Sequence, residues 1–393
     1  MSPSLRLKIL LFTLVRTLVN TMHRMVYALL PAFARGVGVD LETFARALAV
    51  RSLVGVASPL IGSVSDQRGR KFGILLGMSL FLLGAGIVIV WPTFPVLVAS
   101  MLLTTTGKYI LDPSMHAFVG DQVPYQQRGL AIALIEMGWS LSFIVGIPLA
   151  GFLISRGGWI APFPLLTGLA VLSIIILARQ VPNTPAQTTQ QTNLLAGVRD
   201  ILTHPSAIAG LLVGLWMSAA NEVVNIIFGV WLEESFQLQV TALGAASLVI
   251  GISELAGEGL VGAITDRVGK TRAIASGLIL NSLMALALPM LGQTLPGAVV
   301  GLFLFYITFE FSLVSSIPMM TEIMPGRRAT LLAVNIAGLS LGRALAGWLA
   351  TPVFEGGIFA SGLVALGFNL FSLLALRQVH VEESVRLPDQ ITS

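Results

Sequence analysis

Apolar residues run through this chain in long stretches, separated by short segments where Gly, Pro, Arg and Lys collect. A helix rises 1.5 Å per residue, so about 20 apolar residues cross a hydrocarbon core roughly 30 Å thick. Stretches of that length fall near 7–33, 43–64, 72–91, 95–119, 128–154, 160–179, 205–232, 241–264, 273–293, 296–320, 329–353 and 357–378. The pattern predicts an all-α membrane protein with twelve transmembrane helices, six in each half of the chain. The first stretch has the outline of a secretory signal, with Arg6 and Lys8 ahead of it and Ala32-Phe33-Ala34 behind. Arg16, Asn20 and Arg24 interrupt its apolar run, so it reads as a retained span.

Composition agrees with this setting. Hydrophobic residues make up 55% of the chain and charged residues 11%, against about 25% charged in a soluble domain; mean hydropathy is +0.87. Bases concentrate on one side of the twelve-helix threading, among them Arg6, Lys8, Arg68, Arg70, Lys71, Arg128, Arg267, Lys270, Arg272, Arg327 and Arg328, whereas Arg35, Arg46 and Arg156 fall on the other. The excess of Lys and Arg on cytoplasmic loops then places both termini in the cytoplasm, as expected of a multi-pass protein of the cytoplasmic membrane. The net charge of +4 follows from this asymmetry and needs no nucleic-acid partner. Cysteine is absent, which rules out a disulfide framework or a thiolate site and says nothing about redox compartment.

The two halves repeat one another at an offset of about two hundred residues. Gly62-Ser-Val-Ser-Asp66-Gln-Arg68-Gly69-Arg70-Lys71 answers Gly262-Ala-Ile-Thr-Asp266-Arg267-Val-Gly269-Lys270, Asp121-x-x-Pro124 with Arg128 answers Glu322-x-x-Pro325 with Arg328, and Gly138 answers Gly338. Such a duplication predicts two pseudo-symmetric six-helix bundles: residues 1–180 and 204–380, joined by a cytoplasmic linker at 181–203 and followed by a cytoplasmic tail at 381–393. Pro182, Pro185 and the polar run from Gln187 to Asn193 predict a flexible strap. The near-helical spacing of Leu194, Leu195, Val198, Ile201 and Leu202 predicts either a short interfacial helix or an early start of the seventh span. Val268-Gly269-Lys270-Thr271 ends like a phosphate-binding loop, but Ile264 stands where that motif needs glycine.

These loops resemble the signature of the major facilitator superfamily of secondary transporters, and the resemblance covers essentially the whole chain. Gly62, Asp66, Gly69, Arg70 and Lys71 fill the pattern in the first copy, and Gly262, Asp266, Arg267, Gly269 and Lys270 in the second. The resemblance implies the twelve-helix fold of that superfamily, alternating access, and a cytoplasmic latch formed by Gly62, Asp66, Gly69, Arg70, Asp121, Arg128, Asp266, Glu322 and Arg328. The alternative is that these bases serve topology alone. Gly146-Ile-Pro148-Leu-Ala-Gly151 is similar to the glycine-proline motif of the drug–proton antiporters, with one residue inserted between Gly and Pro; Leu102 and Leu103 stand where those exporters commonly carry an arginine.

Ionisable groups inside spans cost about 2.5–3.5 kcal/mol each on insertion scales, so they face a wet cavity or a partner. Arg16, Asn20 and Arg24 share a face of the first helix with Tyr27, Arg51 lies in the second, and Lys108, Asp112 and His116 share a face of the fourth. The second half carries Asn221, Glu222 and Asn225, then Glu254 and Glu258, Glu310, Asn335 and Arg343. Arg16, Asn20, Arg24, Arg51, Lys108, Asn221, Asn225 and Arg343 are the candidate solute ligands; Asp112, Glu222, Glu254 and Glu310 are the candidate proton carriers. Lys108 and Asp112 can instead neutralise each other along their helix, and Arg16 and Arg24 can be structural pairs or snorkel. His23 and His116 are either proton relays or packed neutral side chains.

A basic first half facing an acidic second half suits a solute with a carboxylate or phosphate at one end, or a zwitterion. The expectation is a monomeric, proton-coupled secondary transporter of a small organic solute, surrounded by lipid, exporting by antiport. Symport uptake of an organic anion or zwitterion is the alternative, and a non-transporting receptor or scaffold a remote one. The chain carries no nucleophile–base pair, metal cluster or nucleotide loop, so it is expected to be no enzyme and to hold no cofactor or metal.

Overall fold

The computed structural model describes residues 3–62, 68–183 and 194–380, and these are helical almost throughout. The spans are α1 (Pro3–Ala28), α2 (Leu41–Ile61), α3 (Arg70–Val90), α4 (Phe94–Gln122), α5 (Gln127–Gly157), α6 (Pro162–Gln180), α7 (Pro205–Phe236), α8 (Val240–Thr265), α9 (Lys270–Leu291), α10 (Leu295–Ile323), α11 (Pro325–Phe354) and α12 (Gly357–Leu376). Among the described residues, α2 to α12 are eleven helices long and apolar enough to cross a membrane. α1 is 26 residues long and is diluted by its own polar residues. Their burial explains how it spans: Arg16, Asn20 and Arg24 are 4%, 0% and 6% exposed, while Leu7, Leu10 and Leu14 are more than half exposed on the other side. This is an amphipathic helix turned inside out for lipid.

The apolar stretch predicted to end at residue 33 is interrupted earlier. α1 stops at Ala28 and a second helix, Leu30–Val37, continues it with a proline in its first turn. Pro31 has no N–H to offer Tyr27 and its ring clashes with that carbonyl, so the helix breaks there. α5 widens into a π-helical turn at Ser142–Gly146, just before Pro148. The proline leaves a carbonyl without its donor one turn back, and a local π adjustment accommodates this. Ser142 Oγ donates to the Trp139 carbonyl, 2.6 Å away, at the start of that turn.

The sequence repeat is visible in the backbone. Gly69 ahead of α3 and Gly269 ahead of α9 hold φ of 93° and 91°, a region open to glycine and strained for other residues. Arg70 Nε donates to Asp121 at 3.1 Å across α3 and α4, and Lys270 pairs with Glu322 across α9 and α10. Arg128 Nε donates to the Val123 carbonyl and Arg328 Nε to that of Thr321, both at 2.9 Å. A Cβ on Gly138 would lie 2.8 Å from the Thr13 carbonyl of α1, and one on Gly338 would lie 3.4 Å from the Leu211 carbonyl of α7. The turns and the basic–acidic pair recur in both bundles, while the carbonyls that Arg128 and Arg328 reach lie at different repeat positions.

Between bundles the contacts follow the same two-fold logic: α2 packs on α11, and its repeat-equivalent α8 packs on α5. The linker helix Leu194–Thr203 ends before the His204-Pro205 break, so it is separate from α7. Ile201 is fully buried in the core of the second bundle, and Asp200 pairs with Arg327 at 2.8 Å, so the helix docks on that bundle. The expected polar strap at 187–193 and the tail at 381–393 lie outside the described residues.

Candidate functional site

The middle of the bundle interface holds a cavity of about 80 Å³ with polar walls from both halves. Its strongest feature is a bond between them. Arg24 of α1 grips Glu254 of α8 with both terminal nitrogens, Nη1 at 2.9 Å from Oε2 and Nη2 on Oε1. The side chains are 7% and 5% exposed. The guanidinium is stacked between the rings of Trp139 and Phe143, 4.0 Å and 3.8 Å from their centroids. Trp139 Nε1 donates to Glu254 Oε1 at 3.2 Å, and Arg24 Nη1 also reaches the Trp139 carbonyl. Charge-assisted bidentate bonds with cation–π contacts on both faces are the arrangement for which arginine is suited.

A second chain of bonds crosses the interface beside it. Tyr27 Oη of α1 donates to Glu222 Oε1 of α7 at 2.7 Å, Asn225 Nδ2 donates to Glu222 Oε2 at 3.2 Å, and Tyr306 Oη of α10 donates to Asn225 Oδ1 at 3.0 Å. Glu222 therefore sits among neutral donors. Glu310 and Arg343 complete the cavity wall. Among the described residues neither has a hydrogen-bond or ion-pair partner, although Glu310 is only 5% exposed. Asn221, on the same wall, has a buried Oδ1 without a donor.

Other predicted ligands gather elsewhere. Lys108 Nζ donates to Asn20 Oδ1 at 2.7 Å and to Asp112 at 2.6 Å. Arg16 lies 3.4 Å from Asp112 and 2.5 Å from Glu136, and His116 is 2.8 Å from Glu136. This is a self-compensated cluster within the first bundle, one turn toward the face that carries the termini. Arg51, 1% exposed, donates to the His23 carbonyl at 2.8 Å and stacks on Tyr27 at 4.8 Å, behind the cavity wall. Of the residues named for the latch, Arg70 and Asp121 bond to each other within the first half and Glu322 bonds to Lys270 within the second; Asp66 lies outside the described residues and the side chain of Asp266 is not described.

Glu136, Tyr306 and Phe143 were not singled out from sequence. Glu136 is an ionisable residue inside a span and meets the same criterion as Glu222. Tyr306 stands four residues before Glu310, on the same helical face. Phe143 carries no signal beyond being apolar in an apolar span.

The cavity is sealed on the face opposite the termini. Ala28, Leu29 and Phe33 are 0% exposed, and Gly229 of α7 fits against the Ala28 carbonyl, 2.6 Å from where a Cβ would lie. Arg35 and Glu233 pair across the halves at 2.8 Å above that seal. They line a vestibule of about 690 Å³ on that face whose other charged walls, Asp40, Glu42, Glu234 and Glu355, are all acidic. Toward the terminal face, His116 and Glu136 keep side-chain exposures of 34% and 37%. The interface is thus sealed on one side and reached more readily by solvent on the other.

Two pseudo-symmetric helical bundles enclosing a polar cavity at mid-depth, sealed toward one face, define a membrane carrier. A model of the Major Facilitator Superfamily matches residues 10–347, and the chain belongs to that family of secondary transporters. It is not an enzyme. The chain is 24% identical over 355 residues to the inner membrane transport protein YdhP of Escherichia coli (strain K12), covering 88% of this chain and 89% of YdhP. It is 25% identical over 329 residues to a citrate-proton symporter of Klebsiella pneumoniae, covering 77% and 70%. It is 26% identical over 240 residues to the multidrug resistance protein MdtG of Citrobacter koseri, covering 58% and 57%. The crystal structure of a D-xylose-proton symporter shares the fold, with a TM-score of 0.75 at 15% identity over 95% of this chain and 96% of that one.

Proposed function

We propose that this transporter exports a small solute bearing a cationic group in exchange for protons, and that Glu310 is where the two compete. The observation that carries this reading is an almost fully buried carboxylate, facing the cavity, with no bonded partner among the described residues. Burying an isolated carboxylate is expensive, and a proton or a bound cation relieves that cost. Glu310 can hold one or the other, so solute binding displaces a proton and proton binding displaces solute. Competition for one group yields antiport.

Positive-inside asymmetry puts the terminal face in the cytoplasm. The side that solvent reaches more readily then receives solute from within the cell, and the acidic vestibule lies on the outer face, where protons enter. Opening outward must part Arg24 from Glu254, so this pair acts as the central lock between access states. A proton on Glu254 lowers the cost of parting it. Glu222, held by Tyr27 and Asn225, is a less exchangeable site. The multidrug resistance protein among the relatives supports export. Uptake by symport is the second reading, favoured by the free cation Arg343 and by the name of the citrate-proton relative.

The test is a proteoliposome assay with a pH-sensitive dye inside. Adding a solute that stabilises the purified protein to acid-loaded vesicles drives proton exit under antiport, and Glu310→Gln abolishes the signal while leaving the protein folded. Co-entry of solute and protons, or proton exit undiminished in Glu310→Gln, removes the assignment.

A further inference from the structure

The cavity carries more than one unpaired charge, and the two that face it are of opposite sign. Glu310 comes from α10 and Arg343 from α11, so both belong to the second bundle. They lie beyond ion-pair distance of each other, since no such pair forms among the described residues. Arg24, the cation contributed by the first bundle, is fully engaged by Glu254 and by two aromatic faces. His23, also on the wall, lies within electrostatic range of Arg24, Arg51, Lys108 and Arg343; Arg24 and Lys108 are paired with carboxylates, whereas Arg51 and Arg343 have none among the described residues and leave that corner positive. At the Glu310 end, Glu254 is paired with Arg24, and Glu258 is a further carboxylate within electrostatic range. A buried charge left unpaired inside a folded membrane protein marks a place where something else supplies the counter-charge.

Size restricts that something. The cavity is small, about 80 Å³. Drug-sized ligands occupy pockets of roughly 300–1,000 Å³. A large lipophilic cation would also leave Arg343 uncompensated, and a simple anion would leave Glu310 to be neutralised by a proton alone.

We propose that the solute is a small zwitterion whose carboxylate is taken by Arg343 and whose ammonium group is taken by Glu310, with the Asn221 amide oxygen as a further acceptor for the ammonium. This rests on the central cavity being the solute site and deepens the reading of Glu310 as the point of exchange. Both charges of the solute are then met by one bundle, so the solute travels with the second half as the interface rocks.

The experiment measures thermal stabilisation of the full-length protein in detergent by four probes at neutral pH: glycine, 4-aminobutyrate, butyrate and butylammonium. A ligand that binds only the folded state raises the unfolding temperature according to its concentration over Kd. At least one zwitterion should bind tenfold or more tightly than either butyrate or butylammonium. Glu310→Gln should erase the advantage over butyrate, and Arg343→Gln the advantage over butylammonium. Should Glu310→Gln fail to fold, Glu310→Asp keeps the charge on a shorter arm and should shift preference toward the longer zwitterion. Stabilisation by none of the probes, equal binding of a singly charged probe, or variants that keep the wild-type preference would each overturn the assignment. Failure here is distinguishable from failure of antiport. Proton release driven by butylammonium alone keeps the exchange and removes the zwitterion; zwitterion binding without proton release does the reverse.

Discussion

Replacing Glu254 by Gln tests whether the central pair holds the two halves in the access state seen here. Gln keeps the shape of the side chain and one acceptor, so Arg24 retains a neutral hydrogen bond, its contact with the Trp139 carbonyl and its two ring faces. Breaking a buried ion pair by removing one partner costs about 3–5 kcal/mol, and a neutral bond recovers about half of a charge-assisted one. The expected loss is therefore about 2 kcal/mol, and at 1.4 kcal/mol per tenfold this moves the equilibrium between states roughly 30-fold toward opening on the far side. The chain has no cysteine, so a single reporter can be introduced without background. Ala34, 2% exposed beside the outer vestibule, is a suitable site. With Ala34→Cys in place, labelling by a membrane-impermeant maleimide from that face should accelerate roughly 30-fold in Glu254→Gln when opening is fast relative to labelling. Arg24→Gln should act similarly, and the double variant should be far less than additive because both remove one interaction. A change below about threefold, or an equal change from Glu42→Gln, whose partner Arg46 is on its own helix, would refute the lock.

Further expectations follow from the packing and the charges. Gly347 of α11 has the Ala49 side chain and backbone 2.8–3.1 Å from where its Cβ would be, so Gly347→Val should lower stability by about 1–3 kcal/mol through overpacking, whereas Gly259→Ala, with nothing within 4 Å, should be neutral or stabilising in the same thermal unfolding series. Arg16→Leu removes one of two partners from Asp112 and from Glu136, which keep Lys108 and His116, and should cost about 1–3 kcal/mol; adding Glu136→Leu should recover part of it, and a full-strength ligand response in the pair would separate this cluster from the solute site. Asp40 caps α2 by accepting from the Thr43 N–H at 2.6 Å and its hydroxyl at 3.1 Å, which holds its carboxyl below the usual range. A folded-state value depressed below the unfolded one gives stability that is complete above about pH 4 and fades as pH falls through the folded value. The gap in unfolding temperature between wild type and Asp40→Ala should thus be open at pH 7 and narrow on acidification below pH 4.

The class of this protein was legible from runs of apolar residues, because in lipid every backbone polar group must be satisfied within a helix and the length of each run is set by membrane thickness. The internal repeat was legible because the same turns recur: Gly69 and Gly269 must both take a positive φ, and Arg70–Asp121 and Lys270–Glu322 are one bond made twice. Helix breaks inside spans were less so, since Pro31 and Pro148 announce a disturbance without saying whether the helix stops or widens. What the linear chain could not contain is which buried charges find each other. Arg16, Arg24 and Lys108 are equivalent by sequence, three bases on inward helical faces. Folding sends Arg16 and Lys108 to carboxylates in their own bundle, Arg24 across the interface to Glu254, 230 residues away, and leaves Arg51 behind the cavity wall and Arg343 and Glu310 on it without an ion-pair partner among the described residues. Span positions depend on local hydrophobicity, which sequence records; charge partnership depends on distances between helices that meet only in the packed protein, and that pairing decides which residues remain free to meet a solute.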